Sequence, residues 1–130
     1  MNVPGFIRHS ADGNFDDVVA RIEAALERRG LIPVARVDHA AEAARVGLSI
    51  SPLMLFVFGN PLIGTGLMLE RPTLGIDLPL KLVVWKDSLG VQVGYNDPAW
   101  LVGRHDGNVD APVVKTMRET LDAIAKEATQ

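Results

Sequence analysis

Two spacings of apolar residues run through this chain, one helical and one extended. Phe15, Val18, Val19, Ile22 and Leu26 recur every three or four residues and predict a helix. Asn14 is placed to cap it, Asp16 and Asp17 suit the positive end of its dipole, and Gly30 suits its end. A matching stripe, Val114, Met117, Leu121, Ile124 and Ala128, predicts a last helix, with Asp110 as the expected cap and Pro112 in its first turn. Between these helices the spacing shortens. Leu31 to Val37 reads as a strand, and Pro33 predicts an edge position. Asp38 would cap a short Ala-rich helix from His39 to Val46, closed by Gly47. Leu80 to Trp85 and Val91 to Tyr95 read as strands joined by a turn, with Gly90 supplying a positive φ. Residues 3–9 are a weaker strand signal because of Pro4 and Gly5, and Pro72, Gly75 and Pro79 predict an irregular 71–79.

The most informative stretch is Leu53 to Thr65. Leu53 to Phe58 are six apolar residues in a row, which predicts an interior strand covered on both faces. Gly59-Asn60-Pro61 then ends the strand and starts a helix, with Asn60 as cap and Pro61 as first helical residue. The device recurs at Tyr95-Asn96-Asp97-Pro98, where Asp97 is the cap. Residues 62–69 lack a polar stripe, so a helix there would be apolar nearly all round. That predicts a homodimer, because a small domain has difficulty covering every side of such a segment.

Composition narrows the class. The 130 residues suggest one domain, 1–130, with 48% hydrophobic and 22% charged residues, which is ordinary for a folded protein. No cysteine is present, which removes disulfides and thiol chemistry and fits a cytoplasmic setting. The net charge is −3 and the cations are dispersed, so nucleic acid is disfavoured as a partner. The first ten residues lack a signal-like apolar run, and the longest apolar region is interrupted by Gly59, Asn60, Pro61, Gly64 and Gly66, so no membrane partner is expected.

Several motifs occur in register: Asp38-His39-Ala-Ala-Glu-Ala, Phe58-Gly-Asn-Pro61, Gly64-Thr65, Leu67-Met68, Asp77-Leu-Pro-Leu-Lys81, Trp85-Lys-Asp, Tyr95-Asn-Asp-Pro98 and Arg104-His105. From about residue 14 to the C-terminus the chain resembles the DUF302 family. The resemblance implies a TBP-like α+β fold, a curved, mainly antiparallel sheet of about four to five strands backed by two long helices, and a dimer. It brings no reaction, substrate or cofactor, and so no catalytic residue.

The residues themselves offer few candidates for chemistry. Of the three histidines, His39 and His105 are the best ionisable candidates, because histidine is the residue type that titrates near neutrality, and Asp77 is a carboxylate in the irregular segment. Each has a structural alternative: a first-turn residue, a cation at a helix C-terminus, and a turn-forming carboxylate bonded to nearby backbone. No metal-ligand spacing appears, and no metal or other cofactor is expected. Ser51 and Ser88 lack a nucleophile elbow, and Gly59-x₄-Gly64-Thr65 lacks the lysine of a phosphate loop. Three functions compete. The first is a small-molecule or anion-binding module using His39, Asn60, Gly64, Thr65, Asp77, Asn96 and His105. The second is an enzyme pairing His39 or His105 with Asp77 as acid and base. The third is a structural, dimeric interaction protein. Under the first, the start of the helix after Asn60 is expected to offer free N–H donors to a polar or negatively charged ligand group.

Overall fold

The computed structural model describes residues 2–130. The chain runs β1 (Phe6–Ala11), α1 (Phe15–Arg28), β2 (Ile32–Asp38), α2 (His39–Arg45), β3 (Leu53–Gly59), α3 (Pro61–Glu70), a 3₁₀ turn (Pro72–Ile76), β4 (Leu80–Asp87), β5 (Gly90–Asn96), α4 (Pro98–Arg104) and α5 (Pro112–Thr129). The strands form one antiparallel sheet in the order β1-β5-β4-β3-β2. This is the α+β arrangement that the apolar spacing and the resemblance both implied. β3 is interior, between β4 and β2, and β2 is an edge with a bulge between Pro33 and Ala35. The proline that removes a ladder donor therefore sits where no ladder needs it.

Helix α1 carries the chain from one edge strand to the other, and α5 packs beside it. Their stripes meet one face of the sheet. Val18, Ile22 and Ala25 of α1 and Met117, Leu121 and Ile124 of α5 close over Met54, Phe56, Phe58, Leu82, Val84 and Val93. Asn14 caps α1 by accepting from Asp17 N–H at 2.8 Å, and Asp38 caps α2 by accepting from Ala41 N–H at 2.9 Å.

Four expectations need correction. β3 is not covered equally on both sides: Met54, Phe56 and Phe58 are buried, whereas Leu53, Leu55 and Val57 are only half-buried. Both long helices lie on one face, so the other parity of β3 has no long helix above it. The first strand begins at Phe6, after the Pro4–Gly5 turn, and ends at Ala11. The last helix is entered from Ala111 with no side-chain cap. Asp110 instead donates its own N–H to Asn108 Oδ1 at 3.0 Å. Residues 72–76 are regular enough to form a 3₁₀ turn started by Pro72.

Candidate functional site

The strand-to-helix corner forms as the sequence predicts. Asn60 is extended, with φ −133° and ψ 117°, and its Oδ1 accepts from Leu62 N–H at 3.0 Å. Pro61 has no N–H to satisfy, and Ile63 N–H donates to Asn60 O at 2.9 Å. The helix start therefore answers its first donors internally, and the expectation of free N–H groups for an anion is not met at this corner.

Beside the corner lies a cavity of about 260 Å³. Its walls come from five segments: Ile32 and Val34 of β2, Gly59-Asn60, Ile63 and Met68 of α3, Leu78–Leu80, and Met117 of α5. None of its lining residues is ionisable. Asn60, Gly64 and Thr65 line it, and Thr120 adds a second hydroxyl. Gly64 helps to keep it open, because a Cβ there would lie 3.5 Å from Leu78 Cδ1 and 3.7 Å from Met68 Cε. At the mouth, Ile32 and Val34 are 56% and 60% exposed.

Asp77 and His105 come together next to this cavity without lining it. His105 ends α4, and its Nε2 lies 2.5 Å from Asp77 Oδ2. Its Nδ1 lies 2.8 Å from Thr73 Oγ1. The carboxylate only accepts, so Nε2 carries a proton, and in the neutral ring Nδ1 accepts from the Thr73 hydroxyl. The His105 side chain is 7% exposed and that of Asp77 16%. Arg104 Nη1 adds a longer contact to both Asp77 oxygens, at 3.4 and 3.3 Å. Lys81 Nζ donates to the carbonyls of Asp77 and Pro79, each at 3.1 Å. Burial pushes the Lys81 ammonium below its ordinary pKa, and the Asp77 charge partly offsets this. Asp77 thus bonds across to α4, rather than folding its carboxylate onto nearby turn backbone. The arrangement ties the 3₁₀ turn to α4, and the residues directly after Asp77 form one cavity wall.

The remaining candidates stand apart. His39 is the exposed first residue of α2, and Asn96 is exposed at the end of β5, opposite Phe6. Neither lines the cavity nor touches the Asp77–His105 pair. Met68, Leu78 and Met117 stood in the sequence as motif or helix-stripe residues and not as site candidates, and Thr73 had no expected role. Their signal was weak, since isolated apolar and hydroxyl residues fit many environments.

An antiparallel sheet backed on one face by two helices, with an apolar cavity where β3 turns into α3, defines a small α+β domain. The chain belongs to the DUF302 family: the family model, described as a domain of unknown function, matches residues 7–128. A crystal structure of an uncharacterized conserved DUF302 protein from Bacillus stearothermophilus superposes with a TM-score of 0.85. It covers 97% of this chain and 99% of that one at 19% identity, a likeness of fold. Two curated relatives are named as fluoride-specific ion channels. FluC 1 of Brucella suis biovar 1 (strain 1330) is 38% identical over 114 residues, 86% of this chain and 45% of the relative. FluC 1 of Brucella abortus biovar 1 (strain 9-941) shows the same identity over 86% of this chain and 42% of its own length. The chain therefore spans less than half the length of these relatives. Among its described residues, no helix is long and apolar enough to cross a membrane.

Proposed function

We propose that this chain is a small-molecule-binding and sensing module, cytoplasmic in setting, whose ligand occupies the cavity beside Gly59-Asn60-Pro61. The observation that carries this reading is the cavity itself. It is concave, bounded by five separate segments and lined mainly by apolar side chains with a few polar groups, which is the usual make-up of a small-molecule site. The named relatives extend the reading. Ion conduction in them would fall to the length outside the match, and the matched part would report a ligand to it. The acid–base alternative draws on the 2.5 Å contact of His105 with Asp77. It is the weaker reading, because the ring is largely buried, both of its nitrogens are engaged, and it does not face the cavity.

A thermal-shift screen of uncharged and charged metabolite-sized compounds tests the binding reading, since a ligand that binds only the native state raises the melting temperature. Hits whose shift disappears in Gly64→Leu are expected. A screen whose hits are indifferent to that substitution would contradict the proposal.

A homodimer is favoured by a separate observation. Leu62, Gly66 and Leu69 lie at helical spacing on α3, and the two leucines are 90% and 80% exposed. This stripe is not part of the cavity lining, so a second copy can cover it while the cavity stays open. Light scattering at micromolar concentration is expected to give a dimer mass, and the double substitution Leu62→Glu, Leu69→Glu a monomer mass. A monomer in the unaltered chain would remove this second reading.

A further inference from the structure

We infer that the ligand of this cavity is an uncharged, compact, mostly apolar molecule with one oxygen for the Asn60 amide; the inference rests on the binding reading above. Size comes first. A dry apolar cavity of about 150 Å³ holds benzene. The volume here, about 260 Å³, suits a bicyclic ring system or an aliphatic body of similar bulk.

Charge is decided by what the walls lack. No lining residue can carry a charge, and an ion taken from water without a partner is held at a heavy cost. Lys81 directly follows the wall residue Leu80, but its ammonium is committed to the carbonyls of Asp77 and Pro79. The start of α3 does not replace it. Leu62 N–H donates to Asn60 Oδ1, Ile63 N–H donates to Asn60 O, and Pro61 has none. A full anion would find no free donor among these groups. The partial positive charge of the helix start still favours the negative end of a ligand dipole there.

Polarity is set by what remains. The Thr65 hydroxyl donates to Pro61 O and the Thr120 hydroxyl to Thr116 O at 2.8 Å, so both retain only acceptor capacity toward the cavity. Asn60 uses its Oδ1 as the cap, and among the described residues its amide N–H groups have no hydrogen-bond acceptor. The complement is a neutral molecule with an acceptor oxygen for Asn60. A hydroxyl serves best, because its proton can also reach a threonine lone pair.

Three probes of nearly equal shape test this: 1-naphthol, 1-naphthoate and 1-naphthylmethylammonium, titrated at neutral pH by fluorescence and calorimetry. The expected result is saturable binding of 1-naphthol, at least tenfold tighter than either charged probe. Gly64→Leu, from α3, and Thr120→Leu, from α5, are each expected to abolish it, with folding checked by circular dichroism. Asn60→Ser keeps a capping oxygen but loses the amide, and should weaken 1-naphthol several-fold while leaving naphthalene unchanged. If 1-naphthoate binds as tightly as 1-naphthol and the cavity-filling variants remove it, the ligand class is overturned and the cavity reading stands. If no probe binds, or binding ignores both filling variants, the cavity reading falls and this inference with it.

Discussion

At the scale of single residues, Asn60 does two things with one side chain. Its oxygen answers the Leu62 N–H, which lets a helix start directly after a buried strand. Asn60→Ala leaves that donor without its partner, and denaturant unfolding should register a loss of about 0.5–2 kcal/mol. An unchanged midpoint would show that water caps the helix equally well. The two glycines of α3 separate packing space from helix propensity. Gly66 has nothing within 4 Å of a built Cβ, so Gly66→Ala should stabilise by about 0.5–1 kcal/mol. A loss instead would show that a second copy lies against Gly66. The Gly64 Cβ position faces Leu78 and Met68 at ordinary contact distance, so alanine is tolerated there and bulkier side chains fill the cavity. The sequence showed both glycines as interruptions of the apolar stretch after Pro61. It could not say which faced the cavity, because that depends on where Leu78 arrives from the other side.

At the scale of elements, two clamps hold the frame around the cavity. The first joins the two long helices. Glu127 of α5 accepts from Arg28 at 2.6 Å and also pairs with Arg29, both at the C-terminal end of α1. The hydrogen bond from Arg29, then that from Arg28, holds the Glu127 carboxyl down at about 2, against an ordinary value of 4.5. A depressed carboxylate stabilises the fold fully above its unfolded value and loses that contribution as the carboxylate is protonated. Stability should therefore fall between about pH 4.5 and pH 2, and Glu127→Gln should flatten that part of the profile. Identical acid profiles for the two proteins would contradict the clamp. The second clamp is Thr73–His105–Asp77, which ties the 3₁₀ turn to α4. Thr73→Val and His105→Ala should each speed amide exchange at Asp77 and Leu78, while Thr73→Ser should restore the slow rate. Equal exchange in all four proteins would show that the contacts carry no restraint. Element types were largely legible in the sequence, because capping residues and periodic stripes are local signals. The clamps were legible only as a list of residues: Asp77 and His105 were named, but their contact is set by how the 3₁₀ turn and α4 pack, which no local pattern encodes.

At the scale of the whole molecule, the sheet has one face under α1 and α5 and another that is only half-covered. That asymmetry escaped the sequence for a clear reason. Both parities of β3 are apolar, and an unbroken apolar run looks the same whether its second face meets a helix, its own side chains or a partner. On the open face Phe6 packs near Trp85, with ring centroids 6.0 Å apart, and the Arg8 guanidinium lies 5.2 Å from the Trp85 ring centroid. These side chains cover the β1–β5–β4 end and leave Leu53, Leu55 and Val57 partly in view. The cavity lies elsewhere, where the edge strand β2, the corner after β3 and the middle of α5 converge. The proposed occupant of this cavity is a neutral small molecule. A methyl-detected NMR titration with 1-naphthol tests it most directly. Saturable shifts are predicted at Ile32, Ile63, Met68, Leu78 and Met117, with Leu53, Leu55 and Val57 unmoved. Shifts confined to the half-covered sheet face, or none at millimolar probe, would contradict it.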